Sequence, residues 1–336
     1  MSENEDIIKV EGLTKVFNHS LVAVDHINFS VKKGEIFGFL GPNGAGKTTT
    51  IKMLITVARP TEGKATILGG DIAKQSMDVR GAIGVVPQEY TADERRLNRH
   101  RKHSLMRRPL WHPTRSLKKT SRRPPKPCEL TAFKDKRVQT FSGGMRRRLE
   151  LACGLINRPK VLFLDEPTLG LDVQTRAATW NYVKMLKKEF GMTLFLTTHY
   201  LEEADALCDR IAIIDHGKIV VIGSPTDLKD SLGGDIITLS IQKDEDITDL
   251  ISKIEHVKEV KKENGSYMIK SSNGELTAPL IIEAIRKNGH IVTKLSLTKP
   301  TLNEVYLQYT GKSMRDAEES REGVMQQRMA MRRAHS

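Results

Sequence analysis

No stretch of this chain stays apolar for the roughly 20 residues that a membrane-crossing helix needs. Its longest apolar runs, such as Val161–Leu164 and Thr193–Leu196, are short. The opening Met1–Asp6 is polar and acidic, so no secretory leader is expected. Cys128, Cys153 and Cys208 lie far apart without metal-ligating spacing, which argues against a disulfide framework or a zinc site and reads as incidental reduced thiols. The expectation is a cytosolic chain whose membrane role, if it has one, comes through a partner. One further absence is local. From Arg95 to Cys128 there is no Asp or Glu against 13 Lys or Arg, and outside that block 41 basic residues face 41 acidic ones. The net charge of +13 therefore does not describe the whole surface. A basic stripe spread over folded elements would suggest a polyanion partner, but a single block needs its own explanation. At 336 residues the chain has room for a sizeable core and two domains.

The most informative run is Gly41-Pro42-Asn43-Gly44-Ala45-Gly46-Lys47-Thr48-Thr49. It follows the strand-like Ile36–Leu40 and opens the helical Thr49–Ile55, the strand–loop–helix setting of a phosphate-binding loop. Glycines at 41, 44 and 46 let successive backbone N–H groups turn toward phosphate oxygens, and the helix adds its positive end. Lys47 is placed to reach the β- and γ-phosphates, and the Thr48 hydroxyl to hold Mg²⁺. The bland alternative, a Gly-rich turn with a solvated lysine, is disfavoured by the strand before it and the helix after it. Nucleoside triphosphate binding is expected.

Val161-Leu162-Phe163-Leu164-Asp165-Glu166 reads as a buried parallel strand that delivers two carboxylates at its C-terminal end, where open α/β sheets place their ligands. Asp165 suits Mg²⁺, directly or through water, and Glu166 suits activation of an attacking water. Phe141-Ser142-Gly143-Gly144 precedes a helix whose exposed N–H groups form another anion site. Alone, Ser-Gly-Gly is a plain helix cap. A second anion site makes sense if it serves a second molecule.

Together with Gln88 after Val85-Val86-Pro87, and His199 in Leu196-Thr197-Thr198-His199, these motifs resemble, in order, the nucleotide-binding subunits of ATP-binding-cassette transporters. The resemblance covers about residues 6–228. The form of Phe141–Glu150 and Thr168–Thr175 is most similar to the daunorubicin-resistance type of exporter ATPase. It implies ATP and Mg²⁺ as cofactors, with Phe17 stacking on adenine and Gly41, Pro42, Asn43, Gly44, Ala45, Gly46, Lys47, Thr48 and Thr49 around the phosphates. Two copies would sandwich two ATP molecules head to tail, each lying between one phosphate loop and the other copy's Ser142, Gly143 and Gly144. Thr48, Gln88 and Asp165 would face Mg²⁺, with Glu166, His199 and Gln88 as the catalytic group and Gly170-Leu171-Asp172 communicating between the copies. A separate transmembrane permease would be the coupled partner, which places the chain in the cytoplasm, on the inner face of the cell membrane. Read without the family, His199 is equally a satisfied core histidine, Gln88 an exposed loop residue and Phe17 a core aromatic.

Along the chain, Ile7–Val31 reads as strands turning at Asn18-His19, and Arg80–Val86 as the lead into a strand ending at Gln88. Arg176–Phe190 is helical, and Leu201–Asp209 a helix with its acids facing outward. His216-Gly217 marks a hairpin. After Gly233-Gly234 comes an order β-α-β-β-α-β, with strands around Asn264-Gly265, which suggests a small ferredoxin-like domain. A closing helix from Pro300 resembles the C-terminal motif of the same exporter ATPases. The predicted fold class is α/β: a P-loop NTPase of the ATP-binding-cassette type with a small α+β C-terminal domain. Its expected parts are a cassette over 6–228, an accessory domain over 229–311 with a regulatory or interface role, and a disordered tail over 312–336.

Residues 95–128 do not fit that plan. The family places there a helical subdomain that receives the membrane partner, whereas prolines at 109, 113, 124, 125 and 127 interrupt any long helix. The chain distance from Gln88 to Ser142 is about the family's usual one, so the segment replaces something rather than adding to it. An out-of-frame stretch between two compensating shifts accounts for this. Arg108-Pro109-Leu110-Trp111-His112-Pro113, coded CGN CCN CTN TGG CAY CCN, permits Leu-Tyr-Gly-Ile when read one base on, and Pro124-Pro125-Lys126 permits Leu-Leu followed by Asn or Ser. Coupling to a membrane subunit and dimer-dependent hydrolysis are then expected to be weakened in this chain. The alternative is a genuine insertion that binds nucleic acid or anionic lipid; without it no nucleic-acid partner is expected. Two rival functions remain at this stage, a soluble cassette ATPase acting on nucleic acid or ribosomes, and a non-hydrolysing ATP-binding module.

Overall fold

The computed structural model describes residues 5–18, 20–88, 140–155, 157–242, 245–263, 266–312 and 314. The basic block 95–128, the Asn264-Gly265 turn and all but two residues of the 312–336 tail lie outside the described residues. The chain divides into two compact units between Ile222 and Gly223.

In the first unit, β1 (Asp6–Phe17) and β2 (Leu21–Lys32) pair antiparallel, and β1 pairs on its other edge with β4 (Glu62–Ile67), beside the short β5 (Gly70–Asp71). The second sheet contains β3 (Ile36–Leu40), β6 (Ile83–Val86), β7 (Val161–Asp165), β8 (Thr193–Thr198), β9 (Arg210–Asp215) and β10 (Lys218–Gly223), in the order β10-β9-β3-β8-β7-β6. The β9–β3–β8–β7–β6 pairings are parallel. Every residue of β3, β7 and β8 is buried, as expected for central parallel strands covered on both faces. Helices α1 (Lys47–Leu54), α2 (Ser76–Ala82), α3 (Gly143–Leu155), α4 (Val173–Phe190) and α5 (Leu201–Leu207) belong to the same unit.

The two sheets meet through phenylalanine. Phe29 of β2 packs on Phe37, Phe39 and Phe195 with ring centres 5.4–5.9 Å apart, and Phe163 reaches Phe195 at 5.5 Å. Five of the chain's nine Phe residues thus fix one sheet against the other. Stacked and tilted aromatic pairs add about 0.5–1.5 kcal/mol each beyond their burial. Because the strands run in parallel, their C-terminal ends share one edge. Leu40, Val86, Asp165 and Thr198 therefore hand the chain on at that edge to the loops that carry the expected site residues.

The second unit starts with α6 (Pro225–Asp230), which contacts the closing helix α9 (Leu302–Thr310). Its sheet is antiparallel, with β11 (Asp235–Ile241), β12 (Val257–Glu263), β13 (Ser266–Ser271) and β14 (Val292–Thr298) in the order β12-β13-β11-β14. With α7 (Thr248–Ser252) and α8 (Gly274–Lys287) between strands, this is the ferredoxin-like arrangement. Ile237, Leu239, Tyr267 and Ile269 from the sheet meet Ile251, Ile281 and Ile285 from the helices in one core.

Three expectations need adjusting. The change of unit falls before α6, not at 228. Arg80–Ala82 ends a helix instead of leading a strand. The acids of α5 do not all face outward: Glu203 is fully buried, because it shares the inward face with Ala204 and Leu207.

Candidate functional site

The phosphate-loop sequence forms a tight bend into α1. Gly46 has φ 113°, in the left-handed region, and a Cβ there would meet the Ala23 carbonyl at 2.6 Å, so only glycine fits. Asn43 and Gly44 are exposed at the tip, while Gly41, Pro42, Ala45, Gly46 and Lys47 are buried, with Thr48 and Thr49 half-buried. The Lys47 ammonium donates to the carbonyls of Gly41 at 2.6 Å and Pro42 at 3.2 Å, and stands 3.2 Å from Glu166 Oε1. Both partners of that ion pair are buried. Removing one partner of such a pair costs about 3–5 kcal/mol, since it leaves a charge without compensation.

Glu166 is the centre of the cluster. Gln88 Nε2 donates to its Oε2 at 3.2 Å, and His199 Nδ1 lies 3.3 Å from the same oxygen, off the line of a hydrogen bond. Burial pushes the Glu166 carboxyl up, but His199 and Lys47 together outweigh it and hold the group below the usual glutamate value. Asp165, one residue away, shifts the other way. Burial raises it, and the Glu166 charge adds to that against the Thr197 hydroxyl and Lys47. Its Oδ1 accepts from Thr197 Oγ1 at 2.6 Å and from Thr48 Oγ1 at 3.5 Å. Thr48 and Asp165 thus set two hard oxygen donors side by side at the mouth of the loop.

The remaining expected residues lie around this cluster. Phe17 stands at the end of β1 with 40% of its surface exposed, and the Lys15 ammonium is 5.1 Å from its ring centre. Ser142 and Gly143 are exposed at the start of α3, where Ser142 Oγ accepts from Met145 N at 3.3 Å. Gly144 lies against Thr175, and a Cβ there would come 2.7 Å from Thr175 Cγ2. Thr175 is held by Asp172, which caps α4 through Oδ1 at 2.9 Å and Oδ2 at 2.7 Å. The Ser-Gly-Gly turn and the Gly170–Asp172 loop are therefore neighbours. The structure brings together Lys47, Thr48, Gln88, Asp165, Glu166 and His199, and sets Phe17 and Ser142–Gly143 at the surface.

Three contributors are not evident from motif spacing. Thr197 serves Asp165 with its hydroxyl and accepts from Glu166 N at 3.1 Å through both Oγ1 and its carbonyl. Glu203 Oε1 accepts from Thr168 at 2.8 Å and from Trp180 at 3.0 Å, which anchors the loop after Glu166; burial raises its carboxyl. Arg147, buried on α3, donates to the carbonyl of Glu166 and to that of Pro87, next to Gln88. Its sequence signal is the Arg147–Glu150 pair on the same helix face as Leu151.

Two known families match parts of this chain. The family described as "ABC transporter" matches residues 24–169, and "ATP-binding protein DrrA1-3-like, C-terminal domain" matches 223–310. Doxorubicin resistance ATP-binding protein DrrA of Mycobacterium tuberculosis is 37% identical over 319 residues, spanning 91% of this chain and 95% of that protein. Linearmycin resistance ATP-binding protein LnrL of Bacillus subtilis is 36% identical, spanning 92% of this chain and all of that one. Among solved structures, cbiO1 from Clostridium perfringens, described as part of the ABC transporter complex cbiONQ, is 27% identical with a TM-score of 0.53, covering 68% of this chain and 92% of that one. The chain belongs to the ATP-binding-cassette transporter family, as an ATP-binding, ATP-hydrolysing subunit with a DrrA-like C-terminal domain. Among the described residues no helix is long and apolar enough to cross a membrane.

Proposed function

We propose that this chain energises export through a separate membrane-spanning partner, working as one of two copies that sandwich two Mg²⁺–ATP head to tail. The observation that carries the reading is the convergence of Lys47, Gln88 and His199 on one carboxylate at the strand-end edge of the parallel sheet. Phosphates entering the loop give Lys47 a stronger partner than Glu166. Held as an anion, Glu166 is then free to accept a proton from water, with Gln88 and His199 orienting the reacting groups. The paired oxygens of Thr48 and Asp165 fit Mg²⁺, which when bound neutralises charge on the phosphate oxygens. Phe17, 40% exposed at the end of β1, would stack on adenine, and the exposed Ser142–Gly143 turn would meet the nucleotide of the second copy.

The named relatives support the exporter direction: they include drug-resistance ATP-binding proteins and a Nod factor export ATP-binding protein from Sinorhizobium fredii. The partner holds the chain at the inner face of the membrane and carries the specificity for what is moved. The composition of 95–128, in the stretch that serves partner coupling in this family, lowers coupled turnover in this chain. Light scattering on Glu166→Gln tests the sandwich: a dimer with Mg²⁺–ATP and a monomer with Mg²⁺–ADP support it. A monomer under both conditions, with salt-sensitive RNA binding, would replace it by the soluble nucleic-acid reading.

A further inference from the structure

We propose that Arg147 is a positioning residue for hydrolysis: its guanidinium fixes the peptide of Glu166 and ties the helix carrying Ser142–Gly144 to the group that activates water. The proposal rests on the role given to Glu166 above.

Glu166 has φ 48°, in the left-handed region that a residue with a side chain rarely occupies. That backbone aims the carboxylate, and such a conformation persists only where its surroundings over-determine it. On the amino side the Glu166 N–H donates to Thr197. On the carbonyl side two donors converge, Leu169 N at 3.2 Å and Arg147 Nη2 at 2.6 Å. The same guanidinium donates through Nε to the Pro167 carbonyl, and through Nη1 to the Pro87 carbonyl at 2.8 Å. Its charge is balanced by Glu150 Oε2 at 3.1 Å, one turn along α3. Arg147 is 2% exposed.

The three carbonyls belong to the two segments that present Gln88 and Glu166. The planar fork spreads its donors over three nitrogens, so it holds carbonyls that an ammonium would have to reach from a single atom. The flanking arginines do something else: Arg146 turns back to the Phe141 carbonyl at 3.1 Å, and Arg148 is exposed. In the sandwich, Ser142–Gly144 meets the nucleotide of the second copy. Arg147 then joins the element touching one ATP to the base acting on the other.

Arg147→Lys keeps the charge and removes the fork; Arg147→Met removes both. Single-turnover hydrolysis in the full chain is expected to fall about 10- to 100-fold, with ATP affinity changed less than about threefold. Amide exchange is expected to quicken over 165–172 while β3 and β8 keep their protection. Unchanged exchange over 165–172 in Arg147→Lys overturns the proposal. So does a loss of ATP binding in step with turnover and faster exchange throughout the unit, the mark of a merely structural residue. If Arg147→Met fails to fold, Arg147→Lys still decides. In an unaltered chain without turnover, which the composition of 95–128 can itself bring about, the exchange comparison alone decides whether Arg147 holds the Glu166 peptide.

Discussion

The two units of this chain treat charge in opposite ways. Among the described residues, every buried Asp, Glu, Lys and Arg lies in the first unit: Glu35, Lys47, Arg147, Glu150, Asp165, Glu166 and Glu203. In the second unit the buried side chains with polar groups are hydroxyls, such as Ser271 and Thr277, which bond each other at 2.6 Å. Its ion pairs, such as Lys299–Glu275 and Lys287–Glu283, are exposed and worth little. Burying a charge is costly and is rarely the best route to stability. Apart from Glu35, which lies before β3 and pairs with Arg210, the first unit concentrates that cost around the expected site, while the second is an ordinary apolar core under a charged surface.

Substitutions can break this comparison. Lys47→Ala removes both the phosphate ligand and the partner of Glu166; ATP affinity should fall about 10- to 100-fold, the value of a lost hydrogen bond to a charged group, as read by titration with a fluorescent analogue. Ile281→Ala in the second unit should cost about 2–5 kcal/mol of that unit's unfolding free energy in denaturant and leave ATP affinity unchanged. A matching loss of ATP binding would mean that the units do not divide the work this way.

The smallest effect sharpens the account of buried charge. Because burial raises Glu203, its stability contribution is full below the ordinary glutamate pKa and is lost as pH rises through the raised value. Gln cannot ionise and keeps the acceptor oxygen for Thr168 and Trp180. Glu203→Gln should therefore match the unaltered chain near about pH 4 and exceed its Tm by about 2–4 °C near about pH 8. An equal Tm difference at both pH values would contradict the sign.

How much of this is legible in the residues follows from distance along the chain. The phosphate loop and Val161–Glu166 are local patterns, so spacing alone reveals strand, turn and helix. The ferredoxin-like order of the second unit is likewise a matter of periodicity and turns. The Lys47–Glu166 pair is different, since it depends on β3 and β7 being parallel and separated only by β8. Arg146, Arg147 and Arg148 look alike in sequence, and only the turn of α3 makes the middle one the buried fork. Glu202 and Glu203 pose the same problem: adjacent acids on a short helix suggest a solvated face, yet Glu203 shares the inward stripe of Ala204 and Leu207. The buried ionic contacts are the least legible of all, because a charged residue carries no periodic signal of being inside.

The most direct test of the central claim, that the buried carboxylate held by Lys47, Gln88 and His199 performs the chemistry, is single-turnover ATP hydrolysis by the full chain and by Glu166→Gln, with ATP affinity measured for both. The account predicts slow but measurable turnover in the unaltered chain, about 10²- to 10⁴-fold less in Glu166→Gln, and ATP bound at least as tightly by the variant. Turnover that survives Glu166→Gln at an equal rate would contradict it.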